Sequence, residues 1–158
     1  VIKRDLGKDI RMVPGAGAAG GLGGAFCAFL DGELKSGIRT MLDLVHFNSL
    51  IENADLIITG EGRADGQSAQ GKVLWGIGAS AREKEIPVVA IVGGMLPEAK
   101  KLYDCGITAI VPALNYAMPL TDVLNHSKDL LRDAAERTFL LLKAGMSLTD
   151  SPLHRRIG

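Results

Sequence analysis

Three short runs of apolar, mostly β-branched residues mark the middle of the chain: Asp55-Leu56-Ile57-Ile58-Thr59, Pro87-Val88-Val89-Ala90-Ile91-Val92 and Ile107-Thr108-Ala109-Ile110-Val111. None alternates polar with apolar, which predicts strands buried on both faces of a parallel sheet. Helical spacing lies between them, over residues 74–84 and 97–103, and Gly106 supplies a natural stop for the second helix. The predicted core is therefore βαβαβ, a Rossmann- or flavodoxin-like three-layer α/β arrangement with right-handed crossovers. After Pro119 a stripe of Leu120, Val123, Leu124, Leu130, Leu131, Ala134, Ala135, Leu141 and Leu142 predicts one long helix over residues 120–143, ended by Gly145. Its other face carries Lys128, Asp129, Arg132, Asp133, Glu136 and Arg137, which suits a core or domain interface rather than a membrane. Residues 147–158 read as a polar tail.

The first third of the chain has a different texture. Residues 1–9 read as the tail of a helix, and a glycine-rich turn then runs through residues 13–24. Leu22, Ala25, Phe26, Phe29 and Leu30 follow at helical spacing, then Ile38, Met41, Leu42 and Val45, and a short third pattern over residues 50–53. Three parallel strands make an awkward sheet by themselves, because apolar edge strands are left unpaired. Together with a first residue that is Val1 and not Met, this predicts further strands, from a preceding N-terminal portion or from a partner chain such as a second copy.

Composition narrows the class. Apolar residues make up 47% of the 158 and charged residues 23%, enough for a packed core. Lys+Arg and Asp+Glu are equal at 18 each, so neither the basic footprint of a nucleic-acid binder nor a polybasic membrane anchor is present. No apolar run approaches the ~18 residues of a transmembrane helix, and no signal peptide is recognisable. Two cysteines, Cys27 and Cys105, are too few for a disulfide framework and predict a reduced, cytoplasmic setting. His46, His126 and His154 have no metal-ligand spacing. Trp75 and Tyr103 read as packing residues on helices.

The 20 glycines, well above the usual share of about 7%, concentrate in two places. Gly15-Ala16-Gly17-Ala18-Ala19-Gly20 fits the GxGxxG string and opens a helix, where backbone N–H groups and the helix dipole favour an anion. It lacks the preceding strand and the acidic strand end that a dinucleotide site needs. An anion loop and a turn that only permits close helix packing both remain open. Gly66-Gln67-Ser68-Ala69-Gln70-Gly71-Lys72-Val73 nearly matches the phosphate loop GxxxxGK[ST], but Val73 has no hydroxyl to offer magnesium. The strand is also separated from it by Gly60-Glu61-Gly62-Arg63-Ala64-Asp65, so a true phosphate loop is rejected. Even so, Glu61, Arg63, Asp65, Gln67 and Lys72 converge behind one buried strand, at the end where open α/β sheets bind ligands. Arg and Lys can clamp phosphate or carboxylate, and Asp or Glu can hold Mg²⁺ or orient a hydroxyl. Gly93 and Gly94 end the second strand on the same rim.

The string from Val13 to Gly23, the string from Ala54 to Ser68 with Gly71-Lys72, the strand from Ile86 to Gly94 and the turn Tyr103-Asp104-Cys105-Gly106-Ile107 closely resemble the bacterial glycerate kinase family, type I, the glycerate 2-kinases. The resemblance covers at least residues 6–145. Family members are about twice this length or more, so it implies the C-terminal portion of a two-domain kinase. Residues 1–45 would end an inserted glycine-rich α/β domain. Residues 48–146 would be the C-terminal half of a discontinuous α/β domain, followed by the tail 147–158. The implied activity is ATP-dependent phosphorylation of D-glycerate with Mg²⁺, at the 2-hydroxyl, giving 2-phosphoglycerate. On that template Arg63 and Lys72 bind carboxylate or phosphate, and Asp65 or Glu61 orients the hydroxyl or holds the metal. Gly15, Gly17, Gly20 and Gly21 bring N–H groups to an anion, with Gly60, Gly62, Gln67 and Gly71 lining the second loop. The alternatives are a non-catalytic α/β fragment and a nucleotide- or dinucleotide-binding module without turnover. The 158-residue chain alone is expected to be inactive.

Overall fold

The computed structural model describes residues 1–68 and 71–149. Ala69 and Gln70 of the phosphate-loop-like string lie outside the described residues, as do His154 and all of the expected tail beyond Thr149. The chain divides into two compact units, Val1–Val45 and a second that begins at His46.

The first unit is helical: α1 (Ile2–Leu6), α2 (Ala18–Leu30) and α3 (Gly37–Leu44). The opening turn of α2 is not helical in its backbone. Ala19, Gly20 and Gly21 take φ of 52°, 69° and 97°, so the regular helix starts at Leu22, where the apolar periodicity placed it. Its buried positions are Gly23, Gly24 and Ala28, while Phe26, Phe29 and Leu30 of the expected apolar stripe are exposed. Glycine is needed at the contact itself. A Cβ on Gly23 would stand 2.7 Å from the Gly15 carbonyl oxygen, and one on Gly24 would stand 2.9 Å from Ile10 Cδ1.

The second unit opens with α4 (Phe47–Leu50), a few residues ahead of the short helix expected over 50–53. It continues as β1 (Ile57–Ala64), α5 (Val73–Glu83), β2 (Val88–Met95), a 3₁₀ helix (Pro97–Cys105) and β3 (Ala109–Pro112). The strands are parallel in the order β1-β2-β3, and the fold is α/β as predicted. Val88, Ala90 and Val92 pack on one face against Leu74 and Ala81 of α5 and Ala99 and Leu102 of the 3₁₀ helix. Val89 and Ile91 pack on the other against Ala113 and against Leu130 and Ala134 of the last helix. This is the expected three-layer core. Burial on both faces, however, holds only for β2; β1 and β3 are edge strands, and Ile58 is 41% exposed.

Three boundaries differ from expectation. The strand β1 does not stop at Thr59. Residues 60–64, read as loop because of their glycines, continue the ladder, with Gly60 opposite Ile91, Glu61 opposite Val92 and Arg63 opposite Gly94. These glycines permit close backbone approach: a Cβ on Gly60 would stand 2.8 Å from Ile91 O, and one on Gly93 2.4 Å from Gly62 O. The long C-terminal helix is two helices, α6 (Leu120–Asn125) and α7 (Ser127–Thr149). His126 leaves the helical region (φ −107°, ψ 15°) while its Nδ1 bonds the Asp122 carbonyl at 2.9 Å. Gly145 does not end α7, which runs on through 147–149 where tail was expected. The packing role expected of Tyr103 fails as well, since that side chain is exposed; Trp75 is half-buried.

Candidate functional site at the end of β1

The extension of β1 redefines the site. Glu61 and Arg63 lie on the strand, two residues apart, and so share its alternation, while Asp65, Gly66, Gln67 and Ser68 turn away from it. Gly71 takes φ of 83°, and Lys72, in an extended conformation, is the residue from which α5 starts. Gly93 and Gly94, at the end of β2, sit on the same rim because the register sets Arg63 opposite Gly94.

Within this segment the predicted residues are linked. Asp65 Oδ1 accepts the backbone N–H groups of Gln67 (2.9 Å) and Ser68 (3.2 Å), and Asp65 Oδ2 lies 3.7 Å from Arg63 Nε. Lys72 Nζ donates to Gln67 Oε1 at 3.2 Å. Burial pushes the Asp65 carboxyl up, but the two amides, together with Lys72 and Arg63, outweigh that and hold it below the ordinary carboxylate value. Arg63, Gln67 and Lys72 are exposed and Asp65 and Glu61 half-buried, so the cationic groups face solvent and the carboxylates lie partly beneath the surface.

The two acids differ. Among the described residues, Glu61 Oε2 is buried without a hydrogen-bond partner, whereas both oxygens of Asp65 face groups of the chain itself. A buried carboxylate oxygen normally has a partner, so Glu61 is the acid that the described residues leave unsatisfied. The sequence singled out Glu61 without separating it from Asp65. It passed over Ser68, which is fully buried; the signal was a serine three residues after an aspartate in a turn, a pairing that favours side-chain to backbone bonds.

The glycines of the first loop lie in the first unit. Gly15, Gly20 and Gly21 take positive φ there, and Gly17 stands at the head of α2. Among the described residues no group of three or more His, Cys, Asp or Glu is arranged to hold a metal, and no helix is long and apolar enough to cross a membrane.

The sequence profile described as the glycerate kinase family matches residues 1–143. The chain belongs to that family. Among curated relatives, it is 38% identical to a glycerate kinase of Bacillus subtilis over 149 residues, covering 94% of this chain and 38% of that protein. It is also 38% identical to a glycerate 2-kinase of Escherichia coli over 146 residues, covering 92% and 38% respectively. A solved structure, of a putative glycerate kinase 2 from Salmonella typhimurium LT2, superposes with a TM-score of 0.67 at 35% identity, covering 93% of this chain and 37% of that one. The chain thus spans under two-fifths of the length of the glycerate kinases it matches.

Proposed function

We propose that this chain is part of an ATP-dependent kinase that phosphorylates D-glycerate at the 2-hydroxyl to give 2-phosphoglycerate. The observation that carries the reading is the β1 end in a chain of this family: Glu61 Oε2, a buried carboxylate oxygen without a partner among the described residues, lies on the strand that carries the exposed Arg63 and leads into the Asp65–Gln67–Lys72 cluster. A glycerate kinase and a glycerate 2-kinase among its relatives support the substrate and the position.

Phosphoryl transfer asks the protein mainly for positioning and charge neutralisation. Arg63, with its planar fork, fits the glycerate carboxylate or a phosphate, and Lys72 at the head of α5 adds a point charge where the helix dipole also favours an anion. Asp65 is the second carboxylate of the cluster. Gly62 and Gly71, with nothing within 4 Å of where a Cβ would stand, leave the rim open, while Gly60 lets β1 approach β2. The loop with Gly15, Gly17 and Gly20 offers N–H groups to an anion, the Gly21 N–H being held by the Gly17 carbonyl at 3.2 Å. Mg²⁺ fits Glu61 as a single-carboxylate ligand, since the ion keeps several waters and is usually shared with substrate phosphates. When bound, it would neutralise charge on the ATP phosphates. Glu61 otherwise serves to orient the 2-hydroxyl by accepting its proton in a hydrogen bond.

We place residues 1–45 at the end of an inserted domain and 48–146 in the C-terminal half of a discontinuous one; the division at Val45 and His46 supports this. The formal net charge of zero supports a small-molecule enzyme rather than a nucleic-acid or membrane binder, and two free cysteines support a cytoplasmic setting. A coupled assay with ATP, Mg²⁺ and D-glycerate tests the reading on the full protein beside the 158-residue chain, with the product identified by NMR. The full protein should give 2-phosphoglycerate and the chain alone no turnover. No phosphorylation of glycerate by the full protein overturns the function, 3-phosphoglycerate overturns the regiochemistry, and activity of the short chain overturns its dependence on further segments.

A further inference from the structure

Ser68 is one of two fully or nearly fully buried polar residues among those described; the other, Thr138, has a simple account, its hydroxyl donating to the Ala134 carbonyl one helical turn back at 2.7 Å. The Ser68 hydroxyl instead meets the site. It accepts the Asp65 backbone N–H at 3.2 Å and lies 3.5 Å from the Arg63 carbonyl and 3.5 Å from Asp65 Oδ1. In return the Ser68 backbone N–H donates to Asp65 Oδ1 at 3.2 Å and to the Asp65 carbonyl at 3.1 Å. Each residue therefore satisfies the backbone of the other, where β1 hands over to the loop. The Gln67 amide is held by the same Asp65 oxygen, and the Gln67 side chain receives Lys72 Nζ.

We infer that Asp65 and Ser68 are positioning residues, a reciprocal clasp that sets Arg63 and the Gln67–Lys72 pair at the end of β1, leaving Glu61 as the carboxylate that meets the ligand. The inference rests on the proposed kinase site. Asp65 is engaged through Oδ1 by two amides, a task that an uncharged side-chain oxygen can also perform. A carboxylate that touches a metal or a reacting hydroxyl could not be replaced in that way.

The test uses the full protein, comparing Asp65→Asn, Asp65→Ala, Ser68→Ala and the Asp65→Ala/Ser68→Ala double variant. Steady-state kinetics, ATP titration calorimetry and hydrogen exchange at the Gln67 and Ser68 amides are the readouts. Asp65→Ala and Ser68→Ala should each lower kcat/KM about tenfold or more, chiefly through KM, as expected when binding groups are misplaced. Both should speed exchange at the two amides. Asp65→Asn should recover most of what Asp65→Ala loses, and the double variant should be no worse than the poorer single one. If Asp65→Asn is as damaging as Asp65→Ala while its amides stay protected, Asp65 acts on the ligand itself and the inference fails. It fails equally if Ser68→Ala loses amide protection but keeps wild-type KM, kcat and ATP affinity, because the clasp would then be purely structural. A wild-type protein that binds ATP but does not phosphorylate glycerate overturns the function of the preceding section. The clasp would then be judged by ATP affinity in the same variants.

Discussion

At the scale of single residues, the chemistry of the site was legible but its division of labour was not. Residue types and their place after a buried strand nominate Glu61, Arg63, Asp65, Gln67 and Lys72. They do not say which acid is engaged by the chain, because that depends on where two backbone amides point. The amides of Gln67 and Ser68 point at Asp65. This has a consequence for pH. The folded-state value of Asp65 is the lower one, so its ionised form adds stability above the unfolded-state value of about 3.9 and loses it as the pH falls through the folded-state value. Asparagine keeps the amide acceptor but cannot ionise. The melting-temperature gap between wild type and Asp65→Asn should therefore be constant from neutral pH to about pH 5 and close progressively below about pH 4. Thermal melts across that range check it, and a gap that widens on acidification would reverse the sign of the argument.

At the scale of elements, periodicity located each strand and most of the helices among the described residues, and its failures have local causes. The end of β1 was misplaced because glycine is usually a loop signal, whereas here glycines allow β1 and β2 to approach. The stripe over 120–143 predicts a single helix because its phase is kept across the break, Val123 to Leu130 and Leu124 to Leu131 each being seven residues or about two turns, so periodicity does not show that His126 leaves the helical region. Gly78 and Gly145 make the positional meaning of glycine measurable. A Cβ on Gly78 of α5 would stand 2.5 Å from the Cys105 carbonyl oxygen and 3.3 Å from Ile107 Cδ1, backbone and core that cannot move aside cheaply. Gly145 lies inside α7 with nothing within 4 Å of such a Cβ. Gly78→Ala should destabilise by about 1–3 kcal/mol through overpacking. Gly145→Ala should stabilise by roughly 0.5–1 kcal/mol, as alanine does within a helix. Urea denaturation of both variants decides whether the two glycines differ as their surroundings require.

At the scale of the whole molecule, the sequence suggested a sheet in want of neighbours, and the structure gives that suggestion a surface. The strands β1 and β3 are edges, and Leu120, Leu124, Phe139, Leu140, Leu141 and Met146 on α6 and α7 are exposed. Beside β3, Val89, Ala109, Val111, Thr138, Leu142 and Met146 help to line an apolar groove of about 480 Å³. Unpaired strand edges template association, and apolar side chains exposed beside one add to that tendency. The glycerate kinases that the chain matches are more than twice as long, which gives ample polypeptide to cover such a face. Two outcomes are then coupled. The 158-residue chain, at micromolar concentration, should bind a hydrophobic dye and show a mass by light scattering that rises with concentration. The full protein should bind markedly less dye per chain and hold a constant mass over the same range. Replacing Leu141 and Met146 with Ser should reduce dye binding by the short chain with little loss of stability, since both side chains are already exposed. A short chain that stays monomeric and dye-silent would mean that this face is satisfied within the chain itself, and the case for segments packing against it would fall.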